Sequence, residues 1–565
     1  MSEQKRSFSW RLVAAVLLVA GGAGAYFYLQ GMGRKLTPLD SAKIVPNDAL
    51  LAAYIDTDSQ NWDRLQQFGT PEAQAAIAKG FETLQQGILP QEELNYQQDL
   101  KPWVGDVMLA LLPPSRDSGS KPDTESSSAE TPAAETATNS QENVLLVVGI
   151  QNPLKAWMFQ RNFKSKADIK ITEAEYKGVK ISITNVGEKP ATYSMVMGKH
   201  LVLADRQASL EQAIDSYQAS TSVATSEQGN EMIKKWQKIK NPVIQVYLPN
   251  ANLLTQLFPA NFSANAKVTQ QLERLKYAVI GAGIDADGIR VQMQAKVDPA
   301  QFKEVEPTPE NASLLNRFPA ETITLITGQN LKLFWKNLGE QAKIDPTLQS
   351  NFDLFKSAVK SSTNLDLERD IFNWMDGQFA LGFIASNQGI LAQLGFGGAI
   401  LLETSDRPLA EASMKKIDET FKTKFPIGLE LNATKYQNIP VTEWRIPSQD
   451  IVLGGYGWLE ENLLLIALGQ PLIELMSQPI PAPLNTSNNF QAIAGSLPTT
   501  NHGYFYLNMD QVMTLINRAP LPPGNQISPE VLAVLNSIQG MGLTNTWPEA
   551  DMAQVDALLA LKSKQ

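Results

Sequence analysis

PNDALLAAYIDTDSQNWDRL (46–65) and PAETITLITGQNLKLFWKNL (319–338) are one passage written twice. In both a proline opens an apolar strand, and a W-x-x-L helix start follows, with Trp62 and Trp335 at the same interval from Pro46 and Pro319. The likeness continues in order along the chain. DLKPWVGDVMLALL (99–112) answers DIFNWMDGQFALGF (370–383), and EYKGVKISI (175–183) answers KYQNIPVTE (435–443). KHLVLADRQASLEQAI (199–214) answers ENLLLIALGQPLIELM (461–476). VYLPNANLL (246–254) answers FYLNMDQVM (505–513), and IGAGI (280–284) answers QGMGL (539–543). The offset stays between 259 and 273 residues, far beyond the roughly 20–50 of a solenoid unit. Each copy is therefore a domain-sized module produced by tandem duplication. A Trp and a Leu three apart share one helix face, so the W-x-x-L segments are expected to pack on the strand before them.

Within a module, apolar strands such as ALLAAYID, DVMLALL and NVLLVVGI alternate with helical stretches. A run of short strands then follows through tight turns, and Asp-Ala-Asp-Gly (285–288) has the composition of a hairpin turn. This pattern predicts an α+β fold: two tandem modules of mainly antiparallel sheet with helices packed on one side, preceded by one N-terminal transmembrane helix. The expected parts are a cytoplasmic tip and anchor over 1–35, a first module over 40–300 and a second over 315–562. The boundary falls in KVDPAQFKEVEPTPENASLLNR (296–317), which is poor in large apolar side chains. Residues 113–142 contain no Ile, Leu, Val, Met, Phe, Trp or Tyr and are predicted to be a disordered loop between two strands.

The anchor is read from residues 12–33, which carry no charge after Lys5, Arg6 and Arg11. As a helix this run spans about 33 Å, enough for a bilayer core of ~30 Å. Tyr26, Phe27 and Tyr28 sit where an aromatic belt meets the interface. Ala23-Gly24-Ala25 leaves a second reading open, a signal peptide cleaved after Ala25. Both place the bulk of the chain outside the cytoplasm, in the periplasm or a thylakoid lumen, with an inner-membrane or thylakoid attachment if the anchor is retained.

Composition excludes several classes of function. A net charge of −10 and a pI of about 5.1 argue against a nucleic-acid partner. With no Cys there are no disulfides, thiol nucleophiles or thiolate metal sites. The two histidines, His200 and His502, occupy unmatched positions in the two copies and are too few for a histidine zinc site. His200 stands beside a strand start and reads as a surface or turn residue. The S-x-x-K matches Ser357-Lys360 and Ser413-Lys416 lie in lysine-bearing amphipathic helices without the accompanying motifs of penicillin-recognising enzymes. Gly281-Ala-Gly283 leads into a strand, whereas a dinucleotide loop must lead into a helix. Catalytic residues, metal ligands and cofactors are all expected to be absent. The one milder hint is EMIKKWQKIK (231–240), where Lys234, Lys235, Trp236 and Lys238 form a basic, Trp-bearing stretch suited to a membrane or partner surface. An ordinary surface helix packed on a sheet shows the same pattern.

The apolar N-terminus, the P-x-x-(A/T)-hydrophobic strand leading into W-x-x-L, and the D-x-x-x-W segment resemble an uncharacterised bacterial family, frequent in cyanobacteria, known as a domain of unknown function. The resemblance extends over most of the chain after residue 40. It implies a membrane-bound envelope or thylakoid protein and no catalytic residues. Three functions follow as expectations: a membrane-anchored extracytoplasmic binding or scaffold protein that contacts envelope or thylakoid proteins, a carrier of lipid or another apolar ligand, and a hydrolase with an unrecognised site.

Overall fold

The structure is a computed structural model that describes residues 37–57, 59–76, 78–79, 99–113, 143–163, 169–186, 191–235, 239–249, 275–298, 308–309, 312–343, 346–424, 428–518 and 527–564. The expected anchor at 12–33 and all but the first residue of the 113–142 tract lie outside the described residues. Among the described residues no helix is long and apolar enough to cross a membrane.

Among the described residues the first repeat supplies ten strands to the large sheet: β1 (Leu51–Ile55), β2 (Val104–Leu112), β3 (Asn143–Ile150), β4 (Ile169–Tyr176), β5 (Val179–Val186), β6 (Thr192–Met197), β7 (His200–Ala204), β8 (Pro242–Leu248), β9 (Leu275–Ile284) and β10 (Gly288–Val297). The second supplies β11 (Thr322–Gln329), β12 (Gln378–Ala385), β13 (Phe396–Glu403), β14 (Glu430–Tyr436), β15 (Ile439–Ile446), β16 (Ile451–Trp458), β17 (Leu463–Leu468), β18 (Tyr504–Asn508), β19 (Ile538–Glu549) and β20 (Met552–Leu561). Their registers are antiparallel throughout. In one compact unit the order is β9-β8-β1-β2-β3-β7-β6-β5-β4. In the other it is β10-β20-β19-β18-β11-β12-β13-β17-β16-β15-β14. Adding ten to each label of the first order gives the second from β19 onward, so the strand order repeats along with the sequence.

The compact units are not cut where the repeats are. Strand β10, last of the first repeat, lies in the second unit and pairs with its counterpart β20 from Gly288↔Ala560 to Lys296↔Met552. Residues 64–77 belong there too, where the Gly69 N–H donates to the Lys562 carbonyl at 2.9 Å.

Helices used below are α1 (Pro38–Ala42), α2 (Ser59–Asp63), α3 (Pro153–Phe163), α4 (Gln207–Ala219), α5 (Glu227–Lys235), α6 (Leu331–Ala342), α7 (Pro346–Thr363), α8 (Arg407–Lys424), α9 (Gln470–Met476) and α10 (Asn488–Ala494). Local sequence sets several of their starts. Thr37 and Asp40 close a capping box on α1, Asn330 Oδ1 accepts from the Leu333 N–H at 2.8 Å on α6, and Ser487 Oγ accepts from the Phe490 N–H at 3.2 Å on α10.

The expectation of helices on one side of each sheet is corrected. Successive residues of a strand point to opposite faces. On β13, Ala399 and Leu401 join a core with α9 and α10, through Leu472, Ile473, Phe490 and Ile493. Their neighbours Ile400 and Leu402 join a second core with α8, through Ala410 and Met414. Strand β17 divides in the same way, Leu465 and Ala467 against Leu464 and Ile466. In the first unit Val144 and Val148 of β3 pack with Ala156 of α3 and with Trp103, while Leu145 and Val147 turn to the opposite face and are fully buried. The reason stands in the sequence: NVLLVVGI and LLLIAL are continuous apolar runs, the signature of strands covered on both faces.

Candidate functional site

Helix α6 leaves the end of β11 and is held there by two backbone bonds, Asn330 N–H to Gly377 O at 2.8 Å and Lys332 N–H to Met375 O at 3.0 Å. It presents Lys332, Trp335, Lys336 and Gly339 on one face, the i, i+3, i+4 and i+7 positions. Helix α7, with Pro346 at its first position, brings Phe352 against that face. The turn Phe372–Trp374 brings Phe372. Trp335 is 7% exposed; Phe372 stacks on it at 4.4 Å and 12°, and Phe352 lies 4.8 Å away. A Cβ on Gly339 would meet the Phe352 ring at 3.6 Å, an ordinary van der Waals contact, so the ring lies directly against the helix at this position. Together these groups line an open cavity of about 390 Å³ with an aromatic wall.

The rim is charged. Lys343 pairs with Glu340 at 2.8 Å and Lys356 with Glu368 at 2.6 Å. Lys332 and Lys336 are exposed and make no ion pair among the described residues, and Asp353 is the remaining acid. Phe334, Leu354 and Phe355 of the same helices are more than half exposed, at 61%, 69% and 53%. A second cavity of about 450 Å³ lies over β14–β16 and is lined largely by short side chains such as Ala433, Thr434 and Thr442.

The two repeats treat their matched tryptophans differently. In the first, the Trp62 indole donates to the Asp56 carbonyl at 2.6 Å and that of Trp103 to the Asp99 carbonyl at 2.8 Å. In the second, the buried indole N–H groups of Trp335 and Trp374 have no acceptor among the described residues. Gln329 Nε2 and Gln378 Oε1 are buried without partners as well, and these two residues face each other at the strand end from which α6 departs. Buried polar groups are nearly always hydrogen-bonded, so four such atoms in consecutive elements mark a place that differs from ordinary core.

The sequence-predicted surface fares otherwise. On α5, Met232 and Ile233 are buried, and Ile239 beyond it is too, as an amphipathic helix packed on a sheet requires. Trp236 and Lys238, and the side chains of Lys234 and Lys235, lie outside the described residues. His200, read as a surface or turn residue, is buried, because β7 is covered along its whole length. Its Nε2 lies 3.2 Å from Ser41 Oγ. Burial pushes the imidazole pKa down to about 4, so the ring is neutral; it shares a hydrogen bond with Ser41 and has the Met197 backbone as a second partner. Ser41 is fully buried, which leaves no room for a substrate, and the pair serves to seat α1 on the sheet. Lys416 of the second S-x-x-K match reaches Asp370 at 2.7 Å, and Ser413 is buried. Two buried carboxylates are likewise occupied: Asp418 accepts from Trp444 Nε1 at 2.9 Å and Tyr456 OH at 2.6 Å, and Glu443 accepts from Asn432 Nδ2 at 2.9 Å and Tyr436 OH at 2.6 Å. Among the described residues no group of His, Asp and Glu could hold a metal ion.

The Trp335 cavity was not singled out from sequence. Trp335 was expected to be core, and it is buried; the open space beside it depends on where α7 lies. The spacing of Lys332 and Lys336 around a Trp was the available signal.

A family model described as "Protein of unknown function (DUF3352)" matches residues 12–561. No curated protein matches the chain. Two crystal forms of TP0453 are among the solved structures that do. Form IV is 11% identical, with a TM-score of 0.23, covering 46% of this chain and 82% of that chain. Form III is 12% identical, with a TM-score of 0.23, covering 48% and 83%.

Proposed function

We propose that this chain, which belongs to the family described as a protein of unknown function (DUF3352), is a membrane-anchored extracytoplasmic binding protein whose ligand is apolar. The observation that carries the reading is the cavity walled by Trp335, Phe352 and Phe372. Its volume of about 390 Å³ falls within the range of small-molecule sites. Burying some 150 Å² of hydrocarbon there would contribute about 4 kcal/mol of transfer free energy before the cost of immobilisation. The uncharged run at 12–33 supports attachment to a bilayer, from which apolar ligands are available. A second reading, contact with another envelope protein, is favoured by the exposure of Phe334, Leu354 and Phe355 on the same two helices.

Native mass spectrometry of the full-length chain, gently extracted from its own membranes, separates the two. A discrete small-molecule mass retained on the chain supports the ligand reading. A second polypeptide in its place supports the scaffold reading.

A further inference from the structure

Resting on that ligand reading, we infer that the bound molecule is an amphiphile with an anionic end, a carboxylate or phosphate, held by Lys332 and Lys336 while its chain lies against Trp335 of the second repeat. Lys332 and Lys336 flank Trp335 on the cavity face of α6 and are the rim cations without an ion-pair partner, whereas Lys343 and Lys356 are already engaged by Glu340 and Glu368. Asp353 is the one unpaired acid on the rim, so the uncompensated charge is positive. Residues 331–363 carry five lysines and three acids in a chain whose net charge is −10, a local reversal of sign. Each lysine is a compact cation on a flexible stem, suited to a headgroup that sits at the mouth while the alkyl part goes inward.

Among the described residues the matched tryptophans of the two repeats differ. Trp62 occupies the equivalent place in the first repeat, but its indole is consumed by the Asp56 carbonyl at 2.6 Å. The helix that carries it, α2, tightens into a 3-10 turn over Arg64–Gln67, whereas α6 runs as one α-helix of twelve residues. Trp335 keeps its indole N–H without a protein acceptor in a wall of the cavity.

The test uses full-length protein in nanodiscs of zwitterionic lipid, photolysed with diazirine-bearing dodecanoate, dodecyl phosphate or dodecanol. Cross-linked peptides are then mapped by mass spectrometry. The expected result is one adduct per chain within residues 331–374 for both anionic probes, and about tenfold less for dodecanol. K332Q/K336Q should lower anionic labelling by about tenfold without lowering that of dodecanol, and K332R/K336R should restore it. Both lysines are exposed, and an unchanged denaturation midpoint will confirm that these variants fold. Equal labelling by dodecanol, or indifference to K332Q/K336Q, overturns the anionic end and leaves the apolar-ligand reading standing. Loss of labelling in excess inorganic phosphate overturns the amphiphile in favour of a free anion. Absence of any adduct within 331–374 overturns both this inference and the reading on which it rests.

Discussion

The His200 imidazole gives the residue-scale account a direct test. Its folded pKa of about 4 lies below its ordinary value of 6.5, because burial penalises the charged ring. Between those two values the unfolded chain binds the proton and the folded chain does not. Stability is therefore fully present above pH 6.5 and is lost as pH falls toward 4, by about 3 kcal/mol in total. A urea midpoint followed from pH 7 to pH 4 should fall, and His200→Gln should flatten that fall; an identical pH profile in the variant would contradict the assignment. Asp418 makes a second residue-scale case. Removing its carboxylate leaves the Trp444 and Tyr456 donors unpaired in the core around α8, so Asp418→Ala should cost about 3 kcal/mol in chemical denaturation. A change below about 1 kcal/mol would mean that water or a rearranged partner replaces it. Neither role could be read from the chain: His200 looked like a turn residue because what buries it is a whole strand and a helix from residue 41, contacts that no local pattern encodes.

At the scale of elements, the paired glycine motif shows what spacing can and cannot say. IGAGI and QGMGL read as strands unfit for phosphate, and both are strands, β9 and β19. The purpose of the glycines is visible only in the packing. A Cβ at Gly540 would stand 2.3 Å from Ile493 Cδ1 of α10 and 2.3 Å from the Leu507 carbonyl oxygen. The backbone oxygen cannot move aside, so Gly540→Ala should destabilise by about 2–3 kcal/mol. A calorimetric midpoint equal to that of the parent would show that α10 does not press on β19 as described. Strands and hairpins were legible because their periodicity is local. Helix placement on both faces was legible in principle from the unbroken apolar runs of β3 and β17, which the one-sided expectation underweighted. The Trp335 cavity was not, since α6 and α7 each look like ordinary amphipathic helices and the space between them is a tertiary property. Trp335→Ala should remove binding along with about 3 kcal/mol of stability, whereas Trp335→Phe keeps an aromatic wall and should retain most of both.

Over the whole molecule, duplication made the topology readable twice, and divergence between the copies then points to function. The matched strand orders show one fold built two times, while among the described residues the Trp62 indole is bonded and the Trp335 indole is left as an unused donor beside an open cavity. The pairing of β10 with β20 in the second unit had no sequence signature. IRVQMQAKV alternates as any half-buried strand does, and alternation does not name the partner strand. The proposed anchored, extracytoplasmic placement predicts that a phosphatase reporter fused after residue 565 is active, and that one requiring the cytoplasm is silent. The opposite pattern would put the body of the protein on the other side of the membrane. The most direct test of the account is native mass spectrometry of full-length protein gently extracted from its own membranes, beside its K332Q/K336Q variant. The account predicts one small anionic amphiphile per chain, diminished in the variant; a bare chain in both samples, even after incubation with dodecyl phosphate, would contradict it.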